Sequence, residues 1–235
     1  MPVLATLSLV LPACESTQDT SARLERQGGG ALREKGVVVT RQNPDVQVVS
    51  TSAVQDENGT AVVVRLRNTG RRALAQVPVT VDVRGRGRET LFRNDDPGLE
   101  PTLVRVPLLR SGQEFAWVND QVTAAGKPQD VKAKVGNATA VATNGLPRVT
   151  VTPPRLEQDP VSGVAATGFA ANRSRVEQRK LVIFAVARKG SRIVAAGRAQ
   201  IPRLKPGKRA RYSVFFIGDP RGAKVAVAAP PTRLR

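Results

Sequence analysis

Few side chains in this sequence are suited to catalysis or metal binding, because it has no histidine and a single cysteine. The most closely spaced carboxylates are Asp95, Asp96 and Glu100, whose oxygens are ligands that Ca²⁺ accepts. An Asp-Pro-Gly string is also ordinary turn chemistry, however, and the EF-hand spacing is absent. Without histidine, imidazole-base mechanisms and His/Cys zinc sites are excluded. We therefore expect no catalytic residue, no metal and no cofactor, and interpret the chain as a protein without enzymatic activity.

A further carboxylate, Asp120, lies three residues after the single tryptophan, Trp117. Together with Gln113 and Glu114 these residues could line a small site. A tryptophan on an alternating strand is more often part of a core, so both interpretations stay open.

Cys14 is the residue best placed for covalent modification. It follows the apolar run VLATLSLVL at residues 3–11, which is shorter than the roughly 20 residues of a membrane-spanning helix and has the length of a signal-peptide core. The run ends in Leu11, Pro12, Ala13 and Cys14, a string that resembles the lipobox of bacterial lipoproteins. The resemblance implies that residues 1–13 are a signal peptide and that a diacylglyceryl group is attached to Cys14. The alternative is a free thiol at the end of an apolar N-terminal strand.

Basic side chains are abundant and unevenly distributed. The chain has 37 Lys and Arg residues against 19 Asp and Glu, a net charge of +18. Residues 149–235 carry 18 basic and 4 acidic side chains, whereas residues 46–145 carry 13 and 10. The excess positive charge therefore belongs to the C-terminal part.

Strand alternation predicts that part of this charge forms one solvent-exposed face. The face is expected to contain six residues: Arg198, Arg203, Lys205, Lys208, Arg209 and Arg211. Such a face would attract anionic lipid or anionic wall polymer. The alternative is that the charge reflects solubility and codon composition alone. Nucleic acid is disfavoured by the export signal and by the 3% aromatic content, which leaves few side chains for base stacking.

The elements that carry these residues are predicted from apolar periodicity. Residues 14–45 contain the triplet Gly28–Gly30 and as many acidic as basic side chains, which favours a flexible tether. From Val46 onward apolar residues recur at every second position, as in 62–66 and 77–83, which is the period of half-buried strands. Asn58-Gly59 predicts a hairpin turn between the first two strands.

The strand pattern occurs twice. An offset of 104 residues carries Asn68 onto Asn172, and an offset of 95 carries Gly112 onto Gly207 and Trp117 onto Tyr212. A tandem duplication with one shortened loop would leave two such offsets. The sequence thus predicts an all-β chain with two tandem sandwich domains, at 46–145 and 149–235.

Residues 163–216 resemble the small immunoglobulin-like FxLYD-type modules of bacterial secreted proteins and lipoproteins. The resemblance lies in a hairpin across a glycine turn at Gly190 and in a Leu-x-Pro-Gly turn, Leu204 to Gly207, that leads to Tyr212. It implies immunoglobulin-like sandwiches that serve as extracytoplasmic accessory modules, and it supplies no catalytic residues.

These features together predict a lipid-anchored protein at the extracytoplasmic face of the bacterial cell membrane. Its expected role is that of a non-catalytic binding or assembly module of the cell envelope, whose partner is an anionic lipid, a wall polymer or an envelope protein. The alternative is a structural or electrostatic envelope protein that contacts lipid or polymer without a discrete ligand.

Overall fold

The computed structural model describes residues 36–160 and 162–235. These residues form antiparallel strands and one short 3-10 turn, Pro101–Leu103, so the prediction of an all-β sandwich chain is confirmed. Cys14, the predicted signal peptide and most of the predicted tether lie outside the described residues. Within the described ranges, no helix has the length and apolar character needed to cross a membrane.

The first half of the described chain forms two sheets, which we call the N-terminal unit (residues 46–141). Its strands are β1 (Val46–Asp56), β2 (Gly59–Asn68), β3 (Ala73–Arg84), β4 (Thr90–Arg93), β5 (Arg105–Leu109), β6 (Glu114–Val122), β7 (Asp130–Val135) and β8 (Thr139–Val141). One sheet has the order β1-β2-β6, and in the other β3 pairs with β4, β5, β7 and β8. The predicted hairpin joins β1 to β2, with Gly59 at φ 137 as the first residue of β2.

The second half forms two further sheets, which we call the C-terminal unit (residues 149–228). Its strands are β9 (Val149–Val151), β10 (Arg155–Asp159), β11 (Gly163–Asn172), β12 (Gln178–Lys189), β13 (Arg192–Leu204), β14 (Arg209–Phe215), β15 (Ile217–Gly218) and β16 (Lys224–Ala228). The first sheet has the order β10-β11-β14, with β9 also paired to β11, and the second has the order β15-β13-β12-β16. Among the described residues, every strand pairs within its own unit.

A buried asparagine holds one end of each unit together. The Nδ2 group of Asn68 donates to the carbonyl oxygen of Leu109 at 3.1 Å, and that of Asn172 donates to Leu204 at 3.0 Å. Each amide also donates to the carbonyl four residues further along the chain, at 2.8 Å in both units. Both asparagines are fully buried, so these bonds replace the water that the amide and the carbonyl oxygens lose on folding.

The backbone repeats at the same offsets. Gln76 in β3 and Lys180 in β12 have φ values of 52 and 48, and both are skipped in the strand register. Gly112 and Gly207 share a φ of 67, and each donates its N–H to the carbonyl of the buried asparagine in its unit. These are the offsets of 104 and 95 residues that the sequence comparison identified. The division into two independent immunoglobulin-like domains stays a prediction.

The two units share an apolar contact, because β12 is buried on both faces. Its residues Leu181, Ile183, Ala185 and Ala187 face the core of the C-terminal unit, whereas Val182, Phe184 and Val186 pack into the core of the N-terminal unit. The Phe184 ring meets that of Phe115 on β6 edge to face, with 5.2 Å between the ring centroids. The unbroken apolar run of β12 is typical of a strand with two covered faces.

The predicted tether ends earlier than expected. Asn43, which the sequence assigned to the tether, is buried and donates its side-chain amide to the carbonyl of Gly136 at 3.2 Å. The side-chain oxygen of Gln42 accepts the N–H of Val135 on β7 at 3.1 Å. Assignment of residues 42–45 to a flexible tether was therefore wrong, because Gln42 and Asn43 hydrogen-bond to the end of β7 and the carbonyl of Asp45 accepts the N–H of Thr69.

Candidate functional site

The outer face of the β10-β11-β14 sheet carries part of the predicted basic surface. On β14, Arg209 and Arg211 are exposed, while Tyr212 and Val214, at the alternate positions of the strand, are buried. The alternation that the sequence predicted for this strand is confirmed, since successive side chains of a strand point to opposite sides of its sheet.

Two phenylalanines lie on the same outer face, although the sequence analysis did not single them out. Phe169 on β11 is paired with Arg211, and Phe215 at the end of β14 is paired with Ala165. Phe169 and Phe215 are 39% and 40% exposed, which is unusual for this residue type. The signal for Phe215 was present in the alternation, because it is out of phase with the inward Tyr212 and Val214.

Contacts on this face leave the cationic groups accessible. The guanidinium of Arg209 stacks over the ring of Phe169, 4.7 Å from its centroid, in a cation–π contact. Arg211 forms an ion pair with Glu157 at 2.8 Å, and both side chains are more than half exposed. We call the outer-face residues Phe169, Arg209, Arg211 and Phe215 the aromatic-basic face.

The other exposed members of the predicted surface lie at the adjoining end of the unit. Lys205 and Lys208 occupy the turn between β13 and β14, whereas Arg203 is carried by β13 in the opposite sheet. Arg203 and Arg179 both bind the carboxylate of Glu177, at 2.6 and 2.8 Å. Hydrogen bonds from Arg179 and then Arg203 lower the pKa of Glu177, so this single acid is shared between two cations.

Further arginines lie at this end, close to the buried Asn172. The exposed Arg173 and Arg175 lie one and three positions after Asn172, and the N–H of Arg173 donates to the carbonyl of Arg148 at 2.8 Å. Sequence reasoning missed these three residues, since none lies on an alternating strand. Basic side chains therefore surround one end of the C-terminal unit and extend onto one of its outer faces.

Arg198 does not belong to this surface, and its prediction as a solvent-exposed residue was wrong. Its side chain is 8% exposed and lies 3.3 Å from Asp120 and 3.5 Å from Glu100, both in the N-terminal unit. Its guanidinium also lies against the ring of Phe184, 5.9 Å from the centroid. The alternation between Ala195 and Ile201 was assigned correctly, but the outward side of β13 at Arg198 is covered by the N-terminal unit.

Asp120 and Arg198 form a polar contact at the boundary between the units. The Oδ2 atom of Asp120 accepts the backbone N–H of Arg198 at 2.8 Å. Burial raises the pKa of Asp120, and the positive charge of Arg198 opposes that shift. Trp117 is fully buried and donates its indole N–H to the carbonyl of Thr102 at 2.8 Å, so the core interpretation of this tryptophan is the one that the structure supports.

Two of the three carboxylates weighed as calcium ligands have other partners. Asp95 forms an ion pair with Arg93 at 2.5 Å, and Glu100 accepts a hydrogen bond from Thr102. Within the described part of the chain, no group of three or more Asp, Glu or Cys residues is arranged to hold a metal ion.

Comparison with known proteins gives no family for this chain. No protein-family model matches it, and no curated protein matches it. Among solved structures, red sea bream transglutaminase matches with 16% sequence identity and a TM-score of 0.24. The match covers 94% of this chain and 32% of that chain, so this chain spans about a third of the length of the transglutaminase. A TM-score of this size supports no statement about activity.

Proposed function

We propose that this chain is a non-catalytic binding module of the bacterial cell envelope, held at the extracytoplasmic face of the cell membrane by a lipid on Cys14. In this proposal the C-terminal unit binds anionic lipid headgroups through its aromatic-basic face. The observation that carries the proposal is the placement of two exposed phenylalanines beside two exposed arginines on one outer sheet face.

The charge on this unit favours an anionic partner. Of its acidic side chains, Glu157 and Glu177 lie near the basic residues, and each is in an ion pair with arginine. Exposed ion pairs of this kind contribute about 0 to 1 kcal/mol, so an anionic surface can compete for the arginines at little cost. Each basic residue near an anionic membrane contributes about 1 kcal/mol to binding.

The phenylalanines favour lipid over a wall polymer. Exposed apolar rings gain free energy by entering the boundary between headgroups and acyl chains, and basic residues next to them bind the phosphates. A hydrated anionic polymer offers the charge without that apolar layer. The face therefore fits a membrane surface better than it fits a polymer, and purely electrostatic contact with wall polymer is the alternative to be tested.

Vesicle sedimentation tests this proposal. The full chain with Cys14→Ala, which has no acylation site, is mixed with phosphatidylglycerol vesicles, with phosphatidylcholine vesicles and with isolated anionic wall polymer. We expect binding to the anionic vesicles that weakens between low and physiological salt, where the screening length falls to about 8 Å. Arg209→Ser with Arg211→Ser should weaken it about tenfold or more, on the basis of about 1 kcal/mol per residue.

Two further variants separate charge from apolar insertion. Phe169→Ser with Phe215→Ser should weaken vesicle binding and leave polymer binding unchanged. Arg86→Ser with Arg192→Ser removes the same charge from exposed positions elsewhere and is the matched control. An equal loss of vesicle binding in the control and in the Arg209 and Arg211 variant would contradict the proposal. So would a protein that binds the wall polymer and does not bind the vesicles.

A further inference from the structure

A cleft lies between the two units, and none of the residues of the aromatic-basic face lines it. It has a volume of about 490 Å³, within the range of small-molecule sites in proteins. Its walls come from the end of β5, the start of β6, the segment that joins the units, β9, and the end of β16 with the chain that follows it. The residues that line it include Leu108, Arg110, Leu146, Arg148, Val151 and Pro230.

Two arginines line the cleft. The guanidinium of Arg110 donates to the carbonyl of Pro147 at 2.8 Å, which places it beside the backbone of Arg148. Arg148 is exposed, and its side chain makes no hydrogen bond or ion pair with any residue between 36 and 160 or between 162 and 235 that the structure describes. Within the same ranges, no carboxylate lies within ion-pair distance of Arg110.

The remaining walls are largely apolar. Leu108 contributes a buried aliphatic side chain from the N-terminal unit, and Pro230 contributes a buried ring from the chain after β16. Leu146 and Val151 are half-buried, so part of their surface is open to the cleft. A site with uncompensated guanidinium groups and aliphatic walls is complementary to a molecule with one anionic end and an apolar remainder.

We propose that this cleft binds a small amphiphilic anion. Its carboxylate or phosphate head would pair with Arg110 and Arg148, since a planar guanidinium binds both groups bidentately. Its aliphatic tail would lie against Leu108, Leu146, Val151 and Pro230. Because residues of both units and of the joining segment line the cleft, an occupied site ties the units together.

Calorimetric titration of the full chain tests this site, with decanoate, decyl phosphate, decanol and acetate as probes. Decanoate and decyl phosphate report on the two head groups, decanol lacks the charge, and acetate lacks the tail. We expect decanoate and decyl phosphate to bind at least about tenfold more tightly than decanol or acetate, because decanol cannot form the charge-assisted pair and acetate lacks the apolar contacts. Arg148→Gln should weaken binding of decanoate and decyl phosphate about tenfold. Leu146→Trp, which fills the cleft, should abolish it.

Arg148→Gln is the decisive variant, because Arg110→Gln also removes the bond to Pro147 and would loosen the junction. Arg86→Gln with Arg192→Gln is the control for charge at exposed positions outside the cleft. Arg209→Ser with Arg211→Ser should leave decanoate binding unchanged. The proposal for the cleft and the proposal for the lipid-binding face can therefore be refuted separately. Binding of decanol as tight as that of decanoate, or an equal loss in the charge control, would overturn the proposal.

Discussion

The backbone N–H of Arg198 donates to the Oδ2 atom of Asp120 at 2.8 Å, across the boundary between the two units. The Nε atom of the same arginine lies 3.3 Å from the other carboxylate oxygen, and this nitrogen is buried without a well-aligned hydrogen bond. One arginine thus contacts one aspartate through both its backbone and its side chain, next to the edge-to-face pair of Phe115 and Phe184. The contact joins a charged cluster to an apolar one at the junction of the units.

Removal of the Arg198 side chain should destabilise the protein. Arg198→Ala leaves the half-buried Asp120 without its cation and removes the guanidinium that packs on Phe184. We expect a loss of about 1 to 3 kcal/mol in the free energy of unfolding, measured by chemical denaturation. An Arg198→Met variant, which restores the packing, should recover part of the loss only when Asp120→Asn is also present. Equal stability of Arg198→Ala and the wild type would show that the cluster adds nothing to folding.

The pH dependence of stability should identify the charge on Asp120. Its pKa is raised in the folded protein, chiefly by burial, so the folded state binds a proton more tightly than the unfolded state. The contribution of this group to stability therefore falls as the pH rises from about 4 through the raised pKa. Asp120→Asn keeps an acceptor for the Arg198 N–H and removes this titration. We expect the stability of the variant relative to wild type to increase over that pH window, as followed by denaturation at a series of pH values; a constant difference would contradict the assignment.

The buried asparagines should be among the most sensitive positions of the fold. Asn172→Ala removes the side-chain donor to the carbonyl of Leu204 and one of the donors to the carbonyl of Val176, and a buried carbonyl left unsatisfied costs about 1 to 3 kcal/mol. Asn172→Asp should be worse, because a carboxylate oxygen would then face carbonyl oxygens. At Asn68 too, the Asp substitution should lose more stability than the Ala substitution. Thermal denaturation of the four variants measures these losses. Asn58, an exposed asparagine in the β1–β2 turn, is the control position.

Lipid attachment at Cys14 can be tested in cells. Cys14→Ala removes the thiol that the lipobox resemblance identifies as the acylation site. Because stable anchoring requires two or more acyl chains or an equivalent second signal, the variant should leave the membrane fraction or accumulate as an unprocessed precursor. Separation of cells into membrane and soluble fractions, with the length of the protein determined in each, measures both membrane association and processing. Mature-length protein that stays in the membrane fraction would contradict the lipid anchor.

The sequence by itself determined the strand content and the internal repeat. Alternation is a property of neighbouring residues, so it places Arg209, Arg211 and Tyr212 on their correct sides without knowledge of the rest of the chain. The offsets that relate Asn68 to Asn172 and Gly112 to Gly207 are likewise visible in the chain, because turns and bulges constrain the residue types at fixed positions.

Only the tertiary structure decided what covers each face. Alternation predicts to which side of β13 the side chain of Arg198 points, but the carboxylates that bury it lie about 80 to 100 positions earlier in the chain. The same holds for Phe184, which is outward from its own sandwich and yet buried against Phe115. Packing between units depends on the complementarity of distant surfaces, which no local pattern contains. The cleft beside Arg110 and Arg148 follows from that packing, and for the same reason it could not be predicted from spacing alone.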